Sequence, residues 1–539
     1  MNVSEEGVPL TLPAGVAGVR FRFFEPPAFT SSAGDTGLEA VLRYPELDTW
    51  RPVLDRLGFS QLMRTHVAMR AHVNGVSLLR ELHASGIVPE AALYRALADE
   101  LGVDYLDCVD PDKLVVQEAD IVALLGRRPG AAPVALRKKA GIDVIAATDG
   151  IDIPALKRRL LRSPALRQSL KITAPSALRR GLFERARPVL GQRAVNDLFD
   201  NRPDRSARLV LNGWQAFVLG CLVAGLIVMV GAYPAESFVG FHFISSFFFL
   251  AGIYLRFAAA SAASASARFA AGPVAAKTMP VYSVLVALHK EAEIVPELLI
   301  ALGNIVWPLS KLEIKLVCEA DDHETLAAIR AQPLRPAVEV IEVPVVGPRT
   351  KPKALAYALP AVSSDFVVLY DAEDRPHPLQ LIEAWQRFEA SDGKLACVQA
   401  PLEVANAKNG IIAHMFAFEY AALFRGMLPW LSSRRLLLPL GGTSNHFRRS
   451  ILQEVGGWDP YNLTEDADLG LRLARFGYRT ETIASPTYED GPEQLGVWLP
   501  QRTRWFKGWT QIMLQSANAM KTMINSRQCC FIFASVPTR

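Results

Sequence analysis

The stretch Phe366–Asp374, FVVLYDAED, is an apolar run that ends at three carboxylates. Its first five residues are typical of a short strand that is buried on both faces, as in a parallel sheet. Asp371, Glu373 and Asp374 then lie at the carboxyl end of the strand, where open α/β sheets place their ligands. Carboxylate oxygens at this spacing suit Mg²⁺ or Mn²⁺ carrying a diphosphate. The alternative is an acidic loop exposed to solvent after a core strand.

The composition indicates a membrane protein with more than one soluble part. The chain has 539 residues, 50% of them hydrophobic, and a mean hydropathy of +0.17, which is high for a soluble protein of several domains. The 58 basic and 54 acidic residues leave a formal charge of +4, too balanced to indicate a nucleic-acid partner. The cysteines are scattered without zinc-type spacing, which favours a reducing, cytoplasmic location for the soluble parts.

Two apolar runs lie near the middle of the chain. Leu209–Val230 and Phe238–Phe257 are each long enough to cross a bilayer, for which about 20 residues suffice. The loop between them has no Lys or Arg, whereas basic residues flank the outer ends. The positive-inside rule therefore predicts two transmembrane helices within residues 209–257, in a multi-pass protein of the inner (cytoplasmic) membrane with both large soluble parts in the cytoplasm. A buried globular hairpin is the alternative.

Strands alternate with helices after this region. Val281–His289, Leu312–Cys318 and Val338–Val343 are predicted strands, and Lys351–Leu359 is a predicted helix. This alternation predicts a parallel sheet with right-handed crossovers, as in the nucleotide-binding half of an α/β fold. No GxGxxG follows the first strand and no GxxxxGK[ST] occurs, so neither the dinucleotide fingerprint nor a P-loop explains the pattern.

Three more polar clusters follow the carboxylates. Gly441–Arg448, GGTSNHFR, is a glycine-rich turn that can approach a sugar or phosphate closely. Thr464–Asp468, TEDAD, opens a predicted helix with Thr464 as its N-cap. Gln501–Trp505, QRTRW, combines two guanidiniums suited to phosphate with a ring suited to a sugar face. Each cluster alone has an ordinary explanation as a loop, a helix cap or a surface helix, but together they indicate one site.

These clusters resemble the family 2 inverting glycosyltransferases, in particular the processive, cellulose-synthase-like branch, over about residues 281–509. The resemblance implies a GT-A-type α/β fold. The family's TED motif is present as Thr464-Glu465-Asp466, which implies that Asp466 is the general base beside Glu465. Its QxxRW motif is present as Gln501, Arg504 and Trp505, which implies that these residues bind the diphosphate and the acceptor sugar.

The same resemblance implies the donor and metal sites. The family's DxD motif takes the form Asp371-Ala372-Glu373, so the expected ligands of Mg²⁺ or Mn²⁺ are Asp371 and Glu373, with Asp374 as an alternative. The expected donor-binding residues are Glu291, Glu319, Asp321 and Lys353. The choice between Glu319 and Asp321 is left open.

An inverting transfer needs a carboxylate that takes the proton of the attacking acceptor hydroxyl. It also needs positive charge at the departing nucleoside diphosphate, which the metal and Arg504 would supply. Because Asp466 lies at the start of a predicted helix, the helix dipole favours its charged form. We therefore expect Asp466 to be ionised at neutral pH.

Outside this domain the sequence is less specific. Residues 1–70 are a predicted flexible segment without a secretory signal. Residues 74–107, NGVSLLRELHASGIVPEAALYRALADELGVDYLD, and 133–150, PVALRKKAGIDVIAATDG, resemble the N-terminal domain of type II secretion ATPases. Some domains of that family bind cyclic di-GMP, which implies cyclic di-GMP or a protein as partner of a small α/β domain over residues 71–200. A structural or docking role is the alternative.

The predicted organisation is therefore a flexible segment (1–70), an N-terminal domain (71–200), two transmembrane helices (209–257), a glycosyltransferase domain (278–510), and an interfacial helix with an irregular tail (511–539) whose truncation is left open. The predicted function is transfer of a sugar from a nucleotide-sugar donor, UDP-sugar favoured, to a glycan or lipid-linked acceptor, for envelope or exopolysaccharide synthesis. The alternatives are a transferase that adds a single sugar and an inactive membrane scaffold or receptor that retains the fold.

Overall fold

The structure is a computed structural model that describes residues 43–127, 133–138, 141–147, 152–211, 213–262, 272 and 274–523. Within these ranges the helices are α1 (Glu46–Arg56), α2 (Gln61–Asn74), α3 (Leu78–Ser85), α4 (Glu90–Leu101), α5 (Glu118–Leu125), α6 (Ile153–Arg162), α7 (Pro164–Ser169), α8 (Pro175–Asn201), α9 (Gly213–Ala232), α10 (Pro234–Ala262), α11 (Val295–Gly303), α12 (His323–Arg330), α13 (Lys351–Ala358), α14 (Gln380–Glu389), α15 (Ile411–Ala421), α16 (Leu428–Ser433), α17 (Arg449–Glu454), α18 (Glu465–Arg475) and α19 (Leu495–Met523). The strands are β1 (Asp104–Leu106), β2 (Val134–Lys138), β3 (Gly141–Ala146), β4 (Leu170–Thr173), β5 (Tyr282–Leu288), β6 (Leu312–Glu319), β7 (Val338–Val343), β8 (Phe366–Tyr370), β9 (Arg375–Pro376), β10 (Leu395–Gln399), β11 (Leu402–Val404), β12 (Asn445–Arg448), β13 (Arg479–Thr482) and β14 (Thr487–Glu489).

A seven-stranded mixed sheet forms the centre of the C-terminal half, with the strand order β13-β10-β12-β8-β5-β6-β7. Strands β8, β5, β6 and β7 are parallel, and β12 runs antiparallel to both of its neighbours. Every residue of β8 is buried, which confirms the predicted buried strand. Strands β11, β14 and β9 form a separate, three-stranded sheet in that order.

The sheet is apolar on both faces because each face is covered by helices. Val284 and Leu285, successive residues of β5, are both fully buried but belong to different core clusters. The cluster around Val284 contains α11 and α14 residues, and the cluster around Leu285 contains α13 residues. This two-sided burial fixes the carboxyl end of β8, where Asp371 follows.

The N-terminal part has its own core beneath a four-stranded sheet of order β1-β4-β3-β2. Leu47 and Trp50 of α1 are buried in this core. The expected flexible segment 1–70 is therefore wrong for residues 46–70, which form α1 and most of α2, while residues 1–42 lie outside the described part. Leu47, Trp50, Val53 and Leu54 recur at helical spacing in α1, but Pro52 inside the helix weakens that signal in the sequence.

Helix α8 connects the N-terminal part to the seven-stranded sheet. Leu182 and Leu190 of α8 lie in the same core cluster as Leu285 and Val317 of the sheet. Arg179 on α8 pairs with Glu339 of β7, donates to the Leu125 carbonyl at 3.0 Å, and also donates to the Ala361 carbonyl. Helix α8 and part of the N-terminal region thus share a hydrophobic core with the sheet, in addition to the separate core that contains Leu47 and Trp50.

Three helical stretches of the described residues are long and apolar enough to cross a membrane: Gly213–Ala232, Pro234–Ser261 and Ile411–Ser433. The first two correspond to the predicted apolar runs. The third was not predicted, and it consists of α15, a π-helical turn (Ala422–Met427) and α16. Its mean hydropathy of 1.3 is lower than the 2.3 and 1.8 of the other two, and 28% of it is buried in the protein.

Candidate active site

Asp371 directly follows β8 in a tightly bonded turn. Its backbone N–H lies 2.7 Å from Asp374 Oδ2 and 3.1 Å from Thr443 Oγ1, and the Thr443 hydroxyl also donates to Asp374 Oδ2. Asp374 is therefore buried inside the turn, whereas the Asp371 side chain is 31% exposed. These bonds tie the acidic turn to the glycine-rich segment that begins at Gly441.

Lys351, the first residue of α13, is the cation of this site. Its ammonium pairs with Asp371 and donates to the Gly442 carbonyl at 2.7 Å. Burial alone would lower the pKa of Lys351, but the negative charges of Asp371, Asp466 and Glu465 outweigh it and raise the pKa. One ammonium thus faces carboxylates from both the DAED turn and the TED motif.

Asp466 and Glu465 are buried at the start of α18. Asp466 Oδ1 has no hydrogen-bond partner, and a Cβ built at Gly442 would lie 4.0 Å from Asp466 Oδ2. Gly442 is therefore between Lys351, which bonds its carbonyl, and Asp466. The structure brings the predicted base and the predicted metal ligand Asp371 to the same cation.

The expected ionisation of Asp466 is not what this environment favours. Burial, followed by the charge of Glu465, raises the pKa of Asp466 well above its usual range, although Lys351 acts in the opposite sense. Thr464 occupies the N-cap position as predicted, but its side chain makes no capping bond, and its backbone N–H instead donates to Asn462 Oδ1 at 3.0 Å. The helix N-terminus is thus present, and desolvation outweighs it.

Excess negative charge surrounds Asp371. Burial, then Glu373 and Asp371, raise the pKa of Glu291 to about 7. Burial, then Asp371 and Glu373, raise the pKa of Glu489, the last residue of β14, to about 8. The pKa values of Glu373 and Asp374 are also raised, by burial first and Asp371 second.

This charge pattern fits a divalent cation. Asp374 Oδ1 and Glu291 Oε2 are buried without a hydrogen-bond partner, and hard carboxylate oxygens are what Mg²⁺ and Mn²⁺ prefer. Among the described residues no group of three or more His, Cys, Asp or Glu side chains is gathered closely enough to hold a metal by itself. Mg²⁺ commonly takes one or two carboxylates and completes its shell with water and substrate phosphates, so this arrangement suits a metal that arrives with a diphosphate.

The predicted donor residues Glu319 and Lys353 are engaged with each other. Lys353 is 1% exposed, and its ammonium lies 2.7 Å from Glu319 Oε1 and 3.0 Å from Oε2. Asp321 is instead on the surface, paired with Arg349. The structure therefore brings Glu291 to the carboxylates around Asp371 and uses Glu319 and Lys353 as a buried ion pair.

Two residues other than glycine adopt left-handed backbone conformations beside the site. Lys290, with φ 60°, ends the segment after β5, and its N–H donates to Asp322 Oδ2 at 2.6 Å. Ser444, with φ 58°, precedes β12, and its N–H donates to the Leu369 carbonyl at 2.8 Å. Such conformations cost energy and are retained where surrounding contacts determine them.

The QRTRW residues lie within α19, and their side chains separate. Arg504 is exposed and its charge acts on Glu465, whereas Arg502 is 6% exposed and bonds Glu419 of α15. Gln501 Oε1 is buried without a hydrogen-bond partner, and Trp505 packs near Phe416 with ring centroids 6.3 Å apart. Of the two guanidiniums expected at the phosphate, only that of Arg504 is left available.

Helix α19 approaches the start of α18 very closely. A Cβ built at Gly508 would overlap the side chain of Thr464, with Thr464 Cβ only 2.9 Å away. The absence of a side chain at Gly508 is thus what allows the helix that carries QRTRW to contact the residue before Glu465 and Asp466.

Sequence reasoning missed Lys351 and Glu489, and it gave Thr443 no role of its own within the glycine-rich turn. Lys351 and Lys353 are two residues apart at a helix start. Positions two apart lie on different faces of a helix, so only the register of this helix could have shown which lysine faces the site. Glu489 lies at the end of a three-residue strand that has no strong strand signal.

Residues 280–508 match the family described as "Glycosyltransferase like family 2". The chain is 28% identical over 245 residues to "Probable glycosyltransferase YdaM" of Bacillus subtilis (strain 168), a match that covers 44% of this chain and 57% of that protein. It is 27% identical over 245 residues to "Poly-beta-1,6-N-acetyl-D-glucosamine synthase" of Staphylococcus aureus (strain COL), again covering 44% and 57%. The matched segment thus spans little more than half the length of these relatives.

Among solved structures, the chain is similar to the mannosyltransferase PcManGT from Pyrobaculum calidifontis, described in complex with GDP-Man and Mn²⁺, with a TM-score of 0.40, 20% identity, and coverage of 51% of this chain and 74% of that one. The matched family segment contains the acidic turn, the TED motif and the QRTRW residues. Residues 280–508 of the chain therefore match a glycosyltransferase family 2 domain.

Proposed function

We propose that the chain is a membrane-anchored, metal-dependent, inverting glycosyltransferase with a GT-A-type domain. It would transfer a sugar from a nucleotide-sugar, UDP-sugar favoured, to a glycan or a lipid-linked acceptor in envelope or exopolysaccharide synthesis. The observation that carries the proposal is the arrangement around Lys351, which pairs with Asp371 and bonds the carbonyl of Gly442 beside Asp466.

In this arrangement Asp371 and Glu373 would hold Mg²⁺ or Mn²⁺ with the donor diphosphate, and Asp374 would fix the turn that presents them, with its unpartnered Oδ1 as the alternative ligand. The metal would neutralise charge on the departing diphosphate. Glu291 would contact the nucleoside end of the donor, with Lys351 and Arg504 near the phosphates. Glu319, Asp321 and Lys353 would support this pocket from the adjoining strand and loop.

Asp466 would accept the proton of the acceptor hydroxyl as that oxygen attacks the anomeric carbon. Its raised pKa suits a base whose charged form becomes favoured when cations enter the site. Glu465 would tune that charge, and Gln501 and Trp505 would bind the acceptor sugar. Because base and leaving group act on opposite faces of the anomeric carbon, the transfer would invert its configuration.

We propose that α9 and α10 cross the inner membrane and that both large soluble parts are cytoplasmic. Helix α10 contacts the π-helical turn Ala422–Met427. Beside it, Ile411, Met415 and Phe418 of α15 are exposed apolar side chains, and so are Leu495 and Val497 of α19. These faces would lie at the membrane surface, so that the site is held next to a lipid-linked or growing acceptor.

The N-terminal part would regulate or dock the enzyme, through cyclic di-GMP or a protein partner. Its α8 packs on α13, the helix that begins at Lys351. A ligand that moves α8 would thereby act on the cation of the site.

The test is donor turnover by the purified, detergent-solubilised full chain with Mn²⁺, using UDP-glucose, UDP-N-acetylglucosamine and GDP-mannose and measuring release of nucleoside diphosphate. We expect release with one donor and none after chelation of the metal. Neither release nor metal-dependent binding of UDP or GDP would contradict the proposal and favour an inactive scaffold.

A further inference from the structure

Arg502 lies within the QRTRW segment, but its guanidinium binds a different helix. Its two terminal nitrogens donate to the two carboxylate oxygens of Glu419 on α15, at 2.6 and 2.5 Å. Bidentate pairs of this kind are the strongest and most directional of charge-assisted hydrogen bonds. The Arg502 side chain is 8% exposed and that of Glu419 is 42% exposed, so the pair lies at the edge of the protein interior.

Three aromatic rings enclose the Arg502 guanidinium. Its central carbon is 5.2 Å from the ring centre of Phe416, 5.3 Å from Trp498 and 4.6 Å from Trp505. Contacts of a guanidinium with ring faces at these distances are attractive, and more so when water is excluded. One side chain therefore fixes the ring of Trp505 relative to α15.

The same face of α15 reaches the glycine-rich segment. Phe416 packs on Tyr420 with ring centroids 4.3 Å apart, and Tyr420 packs on Phe424 at 5.3 Å. A Cβ built at Gly441 would lie 2.8 Å from Phe424, so this ring is in close contact with the backbone that leads to Gly442. A continuous row of rings thus joins Arg502 to the segment beside Asp466.

We propose that Arg502 is a positioning residue that, through Glu419 and the aromatic row, holds Trp505 and Gln501 in register with Gly442 and Asp466. It would act on the acceptor half of the site and leave the donor half alone, because its partners are on α15 and α19 and none is a carboxylate of the DAED turn. This inference rests on the proposed transferase function.

The test compares Arg502→Met, Arg502→Lys, Glu419→Gln and the double variant Arg502→Met/Glu419→Gln in the full chain. The probes are the donor that the wild type turns over, UDP or GDP for equilibrium binding, and the β-linked disaccharide of the donor's sugar as acceptor. Arg434→Met is the matched control, since Arg434 also stacks on a tryptophan, Trp430 at 4.3 Å, but is exposed.

We expect Arg502→Met and Glu419→Gln to lower kcat/KM for the disaccharide by about ten-fold or more, as small displacements of a positioned group do. Affinity for the nucleoside diphosphate and hydrolysis of the donor by water should stay within about two-fold, and the double variant should be no worse than the poorer single variant. Arg502→Lys keeps the charge but not the fork, so an intermediate loss is expected.

The inference would be overturned if the wild type transfers sugar to the disaccharide and the folded Arg502→Lys and Glu419→Gln variants do so equally well. So would an equal loss of nucleoside diphosphate affinity, or additive losses in the double variant. If Arg502→Met does not fold, the two milder variants decide. An inactive wild type would instead count against the proposed function itself.

Discussion

The ammonium of Lys351 joins two acidic motifs that are far apart in the sequence, because it pairs with Asp371 and bonds the Gly442 carbonyl next to Asp466. Lys353, two residues further on, is buried against Glu319 and does not share this position. One lysine of α13 therefore serves the site and the other serves the fold.

Replacing the two lysines should have different consequences. Lys351→Met should lower turnover by about 10²-fold, the usual effect of losing one preorganised charge at a leaving group, with little change in thermal stability. Lys353→Met leaves Glu319 buried and unpaired, which should destabilise the fold by about 3–5 kcal/mol. Turnover and thermal unfolding of both variants check this. A loss of stability in Lys351→Met together with a loss of turnover alone in Lys353→Met would contradict the site geometry.

Metal removal should stop turnover reversibly. Chelation is expected to abolish diphosphate release, Mn²⁺ to restore it, and Asp371→Asn to raise the metal concentration for half-maximal rate by about ten-fold or more, since one hard ligand is lost. The matched control is Asp490→Asn, because Asp490 is an exposed carboxylate paired with Arg375. Equal metal requirements in the two variants would argue against Asp371 as a ligand.

The close approach of α19 to α18 predicts that Gly508→Ala will impair transfer. The added methyl group would overlap Thr464 and displace the helix that carries Arg504 and Trp505, and a displacement near 1 Å can cost about 10²-fold in rate. Gly496→Ala on the same helix is the control, since a Cβ there meets nothing within 4 Å. Kinetics of the two variants at matched protein levels make the comparison.

The pKa of about 7 at Glu291 predicts a pH-dependent penalty in the metal-free protein. Because the folded pKa lies above the ordinary value near 4.5, the folded state loses stability as the pH rises through this interval and the carboxyl must ionise. Glu291→Gln should therefore raise the melting temperature in chelator at pH 8 and leave it nearly unchanged at pH 4.5. A Glu297→Gln control, at an exposed position, should have no effect at either pH, and equal effects of Glu291→Gln at both pH values would contradict the explanation.

The shared core predicts that the N-terminal part is fixed to the sheet by Arg179. Arg179→Met leaves two buried carbonyls without their donor, while Glu339 keeps Lys315 as its partner at 2.7 Å, so a loss of about 1–3 kcal/mol is expected. Arg180→Met, at an exposed position of the same helix, should change stability by less than about 0.5 kcal/mol. Thermal unfolding and limited proteolysis measure both, and equal stability of the two variants would mean that this contact does not hold the parts together.

Much of the site was predictable because its residues follow strong local signals. The five apolar residues of β8 end at Asp371, and Glu465 begins a helix, as their patterns predict. The directions of side chains were not predictable: Arg502 and Arg504 are two residues apart, yet one binds α15 and the other is exposed. That difference depends on Glu419, which is distant in the sequence.

The fold was predictable to a similar extent. Strands β5 to β8 and the two apolar helices follow from continuous apolar runs. The contribution of α8 to the core of the sheet could not be predicted, since the apolar residues of α8 would equally well pack within an N-terminal domain. The ionisation of Asp466 was mispredicted because burial, which outweighs the helix dipole, depends on tertiary contacts.

The most direct test of the account is Asp466→Asn, measured by donor turnover and by equilibrium binding of the nucleoside diphosphate with Mn²⁺. Loss of a general base should lower transfer by about 10²–10⁴-fold, while affinity for the diphosphate changes by less than about three-fold. Asp468→Asn, whose carboxylate is 2.7 Å from Arg472, should reduce stability more than turnover per folded molecule. Retained transfer in Asp466→Asn, or an equal loss of diphosphate affinity, would contradict the assignment of Asp466 as the base.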